Sequence, residues 1–320
     1  MKNIPRIRFA HLPTPVDALP RISAYLGVNI LVKRDDQTGQ AFGGNKTRKL
    51  ELLMASALEQ GAKTLLTAGA VQSNHCRQTA AVAVRFGCEC ILVLSGKKPP
   101  AHSGNLLLDR LFGAEFVWTE RSRRDVILDE TFNKARKAGR LPYLIPYGGS
   151  NPVGAFAYTI ALEELIQQGI KTDWIVFPTS SGGTQAGLVF GTRLFNFNGK
   201  VLGISVDERE EVLRERVVDL ANAIADQVEE NVKVEKSDVL VNSDYLGHGY
   251  GVMGETEREA IHLFARYEGL LLDPVYTGRA AGGMIDLIRK GFFGKGDTIL
   301  FWHTGGTPAL FADAYRNELA

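Results

Sequence analysis

Residues 41–51 read AFGGNKTRKLE, so two glycines, an asparagine and Lys46 precede an apolar-periodic segment. Glycine permits positive φ and close approach of backbone to a ligand. A lysine at such a helix start could hold a phosphate, form a covalent adduct, or simply be solvated. Its spacing is not that of a Walker loop, which needs four residues between its first glycine and Gly-Lys-Ser/Thr. A second loop, TSSGGTQAG (179–187), follows an apolar run and precedes a helical pattern. Backbone N–H groups at Ser181, Gly182, Gly183 and Thr184 can converge there on one phosphate, helped by the helix dipole. The plain alternative is a capped turn, since Ser and Thr also favour the N-cap. No G-x-G-x-x-G dinucleotide fingerprint occurs at this point.

A third loop, GAVQSNH (69–75), offers the Ser73 hydroxyl, the Asn74 amide and helix-start N–H groups, donors that suit a carboxylate. Ser and Asn are also ordinary caps, and His75 reads as a cap-region or solvent-facing histidine rather than a catalytic base. Near the end, DPVYTG (273–278) and HTGGTPALF (303–311) put Tyr276, Thr277, His303 and Thr304 after apolar runs, where they could face a cleft. No pair of them makes a Ser-His-Asp arrangement by spacing.

These loops need rigid elements behind them. Strand candidates are TLLTAGA (64–70), CILVLSG (90–96), EFVWTE (115–120), YLIPYGG (143–149), DWIVFPT (173–179), KVLGISVD (200–207) and TILFWHTGG (298–306). Between them lie helical patterns such as KLELLMASALEQG, QTAAVAVRFG, VGAFAYTIALEELIQQG, TQAGLVFGTRLF and ETEREAIHLFARYEG. Such alternation predicts an α/β fold with parallel-rich sheets covered by helices, and ligands at the carboxyl ends of strands.

The 320 residues allow one or two domains; 45% are hydrophobic and 23% charged, an ordinary globular composition. A net charge of +1 gives no broad footprint for nucleic acid or an anionic membrane. No apolar run approaches a membrane helix, and the first residues lack a signal-peptide core. Cys76, Cys88 and Cys90 form neither a disulfide framework nor a zinc pattern, so no metal is expected and a reducing cytoplasm is the simplest compartment. A ligand with one phosphate and a reactive aldehyde would use lysine, cradle and carboxylate loop together, and pyridoxal 5'-phosphate (PLP) is such a ligand.

Taken together, VKRDDQTG, GGNKTRKLE, TAGAVQSNHCRQTAA, PYGGSNPVGA, SGGTQAGL, LLDPVYTG and HTGGTPALF resemble the PLP-dependent D-cysteine desulfhydrase and 1-aminocyclopropane-1-carboxylate (ACC) deaminase family, of tryptophan-synthase-β type (fold type II). The resemblance runs from about residue 12 to about 312 in motif order. It implies that Lys46 is the Schiff-base lysine and the base for the α-proton. It also implies that Lys49 lies near the phosphate with Ser181, Gly182, Gly183 and Thr184, and that Asn45 and Asn74 lie near the ring hydroxyl. Ser73, Asn74 and His75 match the substrate-carboxylate loop, Ser73 also assisting proton transfer, and Tyr250 and Tyr276 match active-site tyrosines. The architecture implied is a larger PLP-binding domain of residues 1–48 and 161–320, with a smaller inserted domain of 49–160, in a homodimer acting on a small amino acid.

The cyclopropane-opening members carry Glu and Leu where this chain has Thr277 and Thr304, the desulfhydrase-like pattern. A hydroxyl rather than a carboxylate beside the ring nitrogen leaves it closer to neutral. The implied reaction is β-elimination from D-cysteine, giving pyruvate, sulfide and ammonia. L-Cysteate sulfo-lyase is the near alternative, with His75, Arg77, His102 and His248 as candidate partners for a sulfonate. ACC deamination and amino-acid racemisation follow. Outside the family, a non-catalytic phosphate- or nucleotide-binding protein would explain 179–187 but leave Lys46, the tyrosines and 69–75 without a role.

Overall fold

The computed structural model describes residues 4–319. Two sheets organise them. The larger contains β1 (Val16–Ala18), β2 (Asn29–Lys33), β10 (Thr298–Trp302), β7 (Trp174–Thr179), β8 (Lys200–Ser205) and β9 (Leu240–Asn242), in that spatial order. β1 is antiparallel to β2 and every other pairing is parallel. The smaller sheet is wholly parallel, in the order β5 (Glu115–Thr119), β4 (Glu89–Ser95), β3 (Thr64–Ala70), β6 (Pro142–Leu144).

Alternation along the central strands explains why helices cover both faces. In β7, Ile175 and Phe177 join one core cluster while Trp174 and Val176 join another. β10 divides the same way, Leu300 and Trp302 against Ile299 and Phe301. The first cluster packs under α6 (Pro152–Gln167), α7 (Gly183–Leu194) and α8 (Glu210–Val228); the second packs under α1 (Pro20–Leu26), α9 (Glu255–Glu268) and α10 (Thr277–Arg289). The smaller sheet is covered likewise, by α2 (Asn45–Glu59), α3 (Asn74–Arg85) and α4 (Gly104–Leu111) on one face and α5 (Arg124–Lys137) on the other. The larger sheet draws on chain either side of the smaller one. The 48/49 and 160/161 positions fall inside α2 and α6.

The expected strands are present: 64–70 unchanged, 90–96 shifted one residue earlier, and 115–120, 173–179, 200–207 and 298–306 with ends trimmed. YLIPYGG is shorter than expected: β6 stops at Leu144, and Tyr147–Gly149 turns as a 3-10 helix with Gly148 at φ 65°. β1, β2 and β9 carry no strong apolar alternation and escape a reading by periodicity. Among the described residues no helix is long and apolar enough to cross a membrane.

Candidate active site

The carboxyl ends of β3, β6, β7 and β10 converge on one cleft, as expected for open parallel sheets. Its lining includes Asn45, Lys46, Ser73, Asn74, His75, Ser181, Gly182, Thr184, Tyr276 and Thr304, all predicted site residues.

Lys46 is the second residue of α2. The turn before it is made by Gly43 at φ 62° and Gly44 at φ 125°, conformations that favour glycine. Gly44 N donates to Asp35 O at 2.8 Å, and Asn45 N donates to Thr304 O at 3.0 Å, so the turn is held against the end of β10. Lys46 Nζ donates to Gly148 O at 3.1 Å. Lys49, one helical turn on and fully buried, reaches the same carbonyl at 3.2 Å and Ser150 Oγ at 3.3 Å. Burial lowers the Lys46 ammonium to about 8. Burial, with the neighbouring Lys46 charge, pushes Lys49 well below its ordinary value.

Opposite them, α7 begins with Gly182 at φ 82° as its N-cap. Ser181 Oγ lies 2.7 Å from Ser150 Oγ, and Asn45 Nδ2 donates to Thr184 Oγ1 at 3.1 Å. A methyl on Gly183 would stand 2.4 Å from Ser150 Oγ and 2.8 Å from Lys49 Nζ, so the helix start, the serine and the lysine enclose one small space. Helix N–H groups, hydroxyls and an ammonium are donors for a phosphate. Among the described residues no carboxylate lines the cleft.

α3 opens with Ser73 as N-cap, its Oγ accepting from Cys76 N at 3.1 Å. His75 is buried, which corrects the solvent-facing reading. Its Nε2 lies 2.9 Å from Thr67 Oγ1, whose hydrogen goes to Ile145 O at 2.8 Å. Nε2 is therefore the donor and carries the proton. Burial, with the charges of Lys46 and Lys49, pushes His75 well below its ordinary value, so the ring is neutral.

Four predicted residues, Lys49, Gly183, Tyr250 and Thr277, lie outside that lining. Tyr250 is not in the lining; its Oη meets Tyr276 Oη at 2.6 Å, behind that residue. Burial raises both phenols well above the ordinary range, so they stay protonated. Thr277 is buried and turned from the cleft: its Oγ1 accepts from Asp273 N at 2.7 Å and donates to Asp273 Oδ1 at 2.8 Å. Its hydroxyl is thus bonded in both directions to Asp273, whereas Thr304 is among the lining residues. Gly183 and Lys49 lie just behind the lining. Sequence reasoning gave no role to Tyr147, Gly148 and Ser150; their signal was the doubled glycine and serine of PYGGS, a counterpart of SSGGT.

A family model described as pyridoxal-phosphate dependent enzyme matches residues 7–305. The chain belongs to that family. It is similar to a crystal structure described as an ACC deaminase homologue, at 38% identity and a TM-score of 0.91, covering 99% of this chain and 95% of the other. Two more distant structures share the fold. A hydrogen sulfide-producing enzyme from Fusobacterium nucleatum is 17% identical, with TM-score 0.66 and coverage of 92% and 96%. Threonine deaminase isoform 2 from Solanum lycopersicum is 18% identical, with TM-score 0.66 and coverage of 92% and 79%. The protein is thus a PLP-dependent enzyme of fold type II. The residues present fit the cofactor. One half-buried and one buried lysine without a facing carboxylate, beside a helix N-terminus and paired hydroxyls, match one aldehyde and one phosphate.

Proposed function

We propose that the protein is a lyase that eliminates the β-substituent of a small amino acid. The substrate best supported is D-cysteine, converted with water to pyruvate, hydrogen sulfide and ammonia. The observation that carries this is that, among the described residues, no carboxylate lines the cleft, while Thr304, which the resemblance places near the ring nitrogen, does. Without an adjacent carboxylate the ring nitrogen is not held protonated, and a good leaving group on Cβ asks less of the electron sink than opening a carbon ring. Likeness to an ACC deaminase homologue supports the wider lyase and deaminase chemistry.

Bound PLP supplies the electron sink. Lys46 Nζ anchors it and then takes the α-proton, its low pKa making the free amine accessible near neutral pH. Lys49 and Ser181–Thr184 hold the phosphate, and Ser73 and Asn74 receive the substrate carboxylate. Tyr276 Oη, kept protonated beside Tyr250, can donate to the departing sulfur.

L-Cysteate would bring a sulfonate, and its four candidate cations give it little support. His75 is neutral, and both Arg77 Nη groups are bonded to Asn74, Asn105 and Gly43, so its charge reaches an anion only through the Ser73–His75 loop already assigned to the carboxylate. His102 meets Phe116 edge-on at 5.8 Å, and His248 is exposed. The test is product release from reconstituted protein offered D-cysteine, L-cysteine, L-cysteate and ACC at matched concentrations. Pyruvate with sulfide from D-cysteine is expected. Sulfite from L-cysteate at far higher kcat/KM, or 2-oxobutanoate from ACC alone, would overturn the assignment.

A further inference from the structure

Arg77 lies on α3, three residues after Asn74, with no exposed surface. Its Nη1 donates to Asn74 Oδ1 at 3.0 Å and to Asn105 Oδ1 at 2.8 Å, and its Nη2 donates to Gly43 O at 2.9 Å. Asn105 Nδ2 donates to the same Asn74 Oδ1 at 2.9 Å. Asn105 is itself anchored by Gln72, whose Oε1 accepts from Asn105 N at 2.8 Å and whose carbonyl accepts from Asn105 Nδ2 at 2.9 Å. The Asn74 oxygen therefore has two donors, while its amide nitrogen has no partner among the described residues. Asn74 also lines the cleft.

We propose that Arg77 is a positioning residue: it fixes Asn74 with the amide nitrogen toward the cleft and gives the Ser73–His75 loop the positive potential that recognises a substrate carboxylate. This rests on the reading of that loop as the carboxylate receptor.

Charge and geometry agree. A buried guanidinium is costly unless compensated, and its three acceptors here are all neutral carbonyls. Among the described residues no carboxylate lies within ion-pair distance of Arg77; Asp109 and Asp273 act on it only through space. Its charge remains available to an anion at Asn74, and a cation on the oxygen end of an amide strengthens the N–H donors at the other end. His75 does not supply that charge, being neutral. By holding Gly43 O, Arg77 also ties the carboxylate loop to the turn that carries Lys46.

The test uses PLP-loaded Asn105→Asp, Arg77→Met and Arg77→Lys proteins. The aspartate is nearly isosteric, sets a carboxylate against Nη1 and removes the donor to Asn74. Three readouts are taken: the PLP dissociation constant with its visible absorbance, the thermal midpoint, and binding of whichever alanine enantiomer the wild type takes, alongside KM and kcat. For Asn105→Asp and Arg77→Met, alanine binding and KM should weaken by about tenfold or more, the scale of one hydrogen bond to a charged group. PLP affinity and absorbance should stay within about twofold, and Arg77→Lys should recover part of the loss. Parallel loss of PLP and alanine binding would reduce Arg77 to a structural role, and unchanged alanine binding would refute the proposal. If the wild type bound neither enantiomer, the carboxylate-receptor reading would fail and this proposal with it.

Discussion

Lys46 and Lys49 share the Gly148 carbonyl, yet only Lys46 opens onto the cleft. The amine that attacks an aldehyde must be neutral. Because burial brings Lys46 down to about 8, its neutral fraction grows as pH rises through that value. The rate of covalent PLP capture by the apoprotein should therefore climb between about pH 7 and 9 and level off well below the ordinary lysine value of about 10.4. Lys49 and His75 face the same space; a proton on either repels the Lys46 ammonium, so their protonation at lower pH opposes this trend and flattens the low-pH limb. Stopped-flow absorbance against pH checks this; a rise continuing past pH 10 would show that Lys46 is not desolvated. Lys46→Ala should abolish both capture and turnover, and a variant retaining them would overturn the assignment. Lys46 was legible because glycine turns and helix starts are local. His75 was misread because its burial depends on Thr67 and Ile145, and the second of these is distant in sequence.

At the scale of elements, the start of α7 makes the cradle, and its shape depends on Gly183. A methyl there meets Ser150 Oγ and Lys49 Nζ, both of which must retreat from the space they share. Gly183→Ala should weaken PLP binding by about tenfold or more, since one charge-assisted donor is displaced. The thermal midpoint of the apoprotein should change little, alanine being the better helix former. Fluorescence titration with PLP, and competition by inorganic phosphate, would read the two effects apart; unaltered affinity would remove Lys49 and Ser150 from the phosphate site. The strand–loop–helix order was legible here because turn residues and apolar runs are neighbours in the chain. The Tyr147–Gly149 turn was not, because YLIP continues the apolar pattern of a strand until Gly148 adopts its positive φ.

Over the whole molecule, a buried polar network joins segments that no local pattern connects. Asp35 accepts from Thr14 Oγ1 at 3.0 Å, Arg48 Nη2 at 2.8 Å, Tyr158 Oη at 2.6 Å and Trp302 Nε1 at 2.8 Å. Arg48 also pairs with Glu164, which holds Lys33 at 2.6 Å. The N-terminal arm, α2, α6, β2 and β10 thus meet at one carboxylate, directly beneath the turn that presents Lys46. These residues are up to 267 positions apart, so composition and periodicity could not pair them. Burial alone would raise the Asp35 carboxyl, but the Arg48 charge and hydrogen bonds outweigh it and hold it below the ordinary range. A depressed carboxylate contributes stability above its unfolded value, and that contribution is lost as pH falls through the folded one. Asp35→Asn keeps the shape and removes the charge, leaving Arg48 under-compensated in the core. The expected cost is about 3–5 kcal/mol, the scale of breaking a buried pair from one side. Tyr158→Phe, which deletes a single bond to the same carboxylate, should cost about 1.5–3 kcal/mol. Denaturant unfolding of both apoproteins from pH 7 down to pH 3 would measure this. The gap between wild type and Asp35→Asn should narrow with acid, as the wild-type carboxylate loses its advantage. A gap that stayed constant, or an Asp35→Asn loss below that of Tyr158→Phe, would mean that packing rather than this charge network holds α2 and its lysine in place.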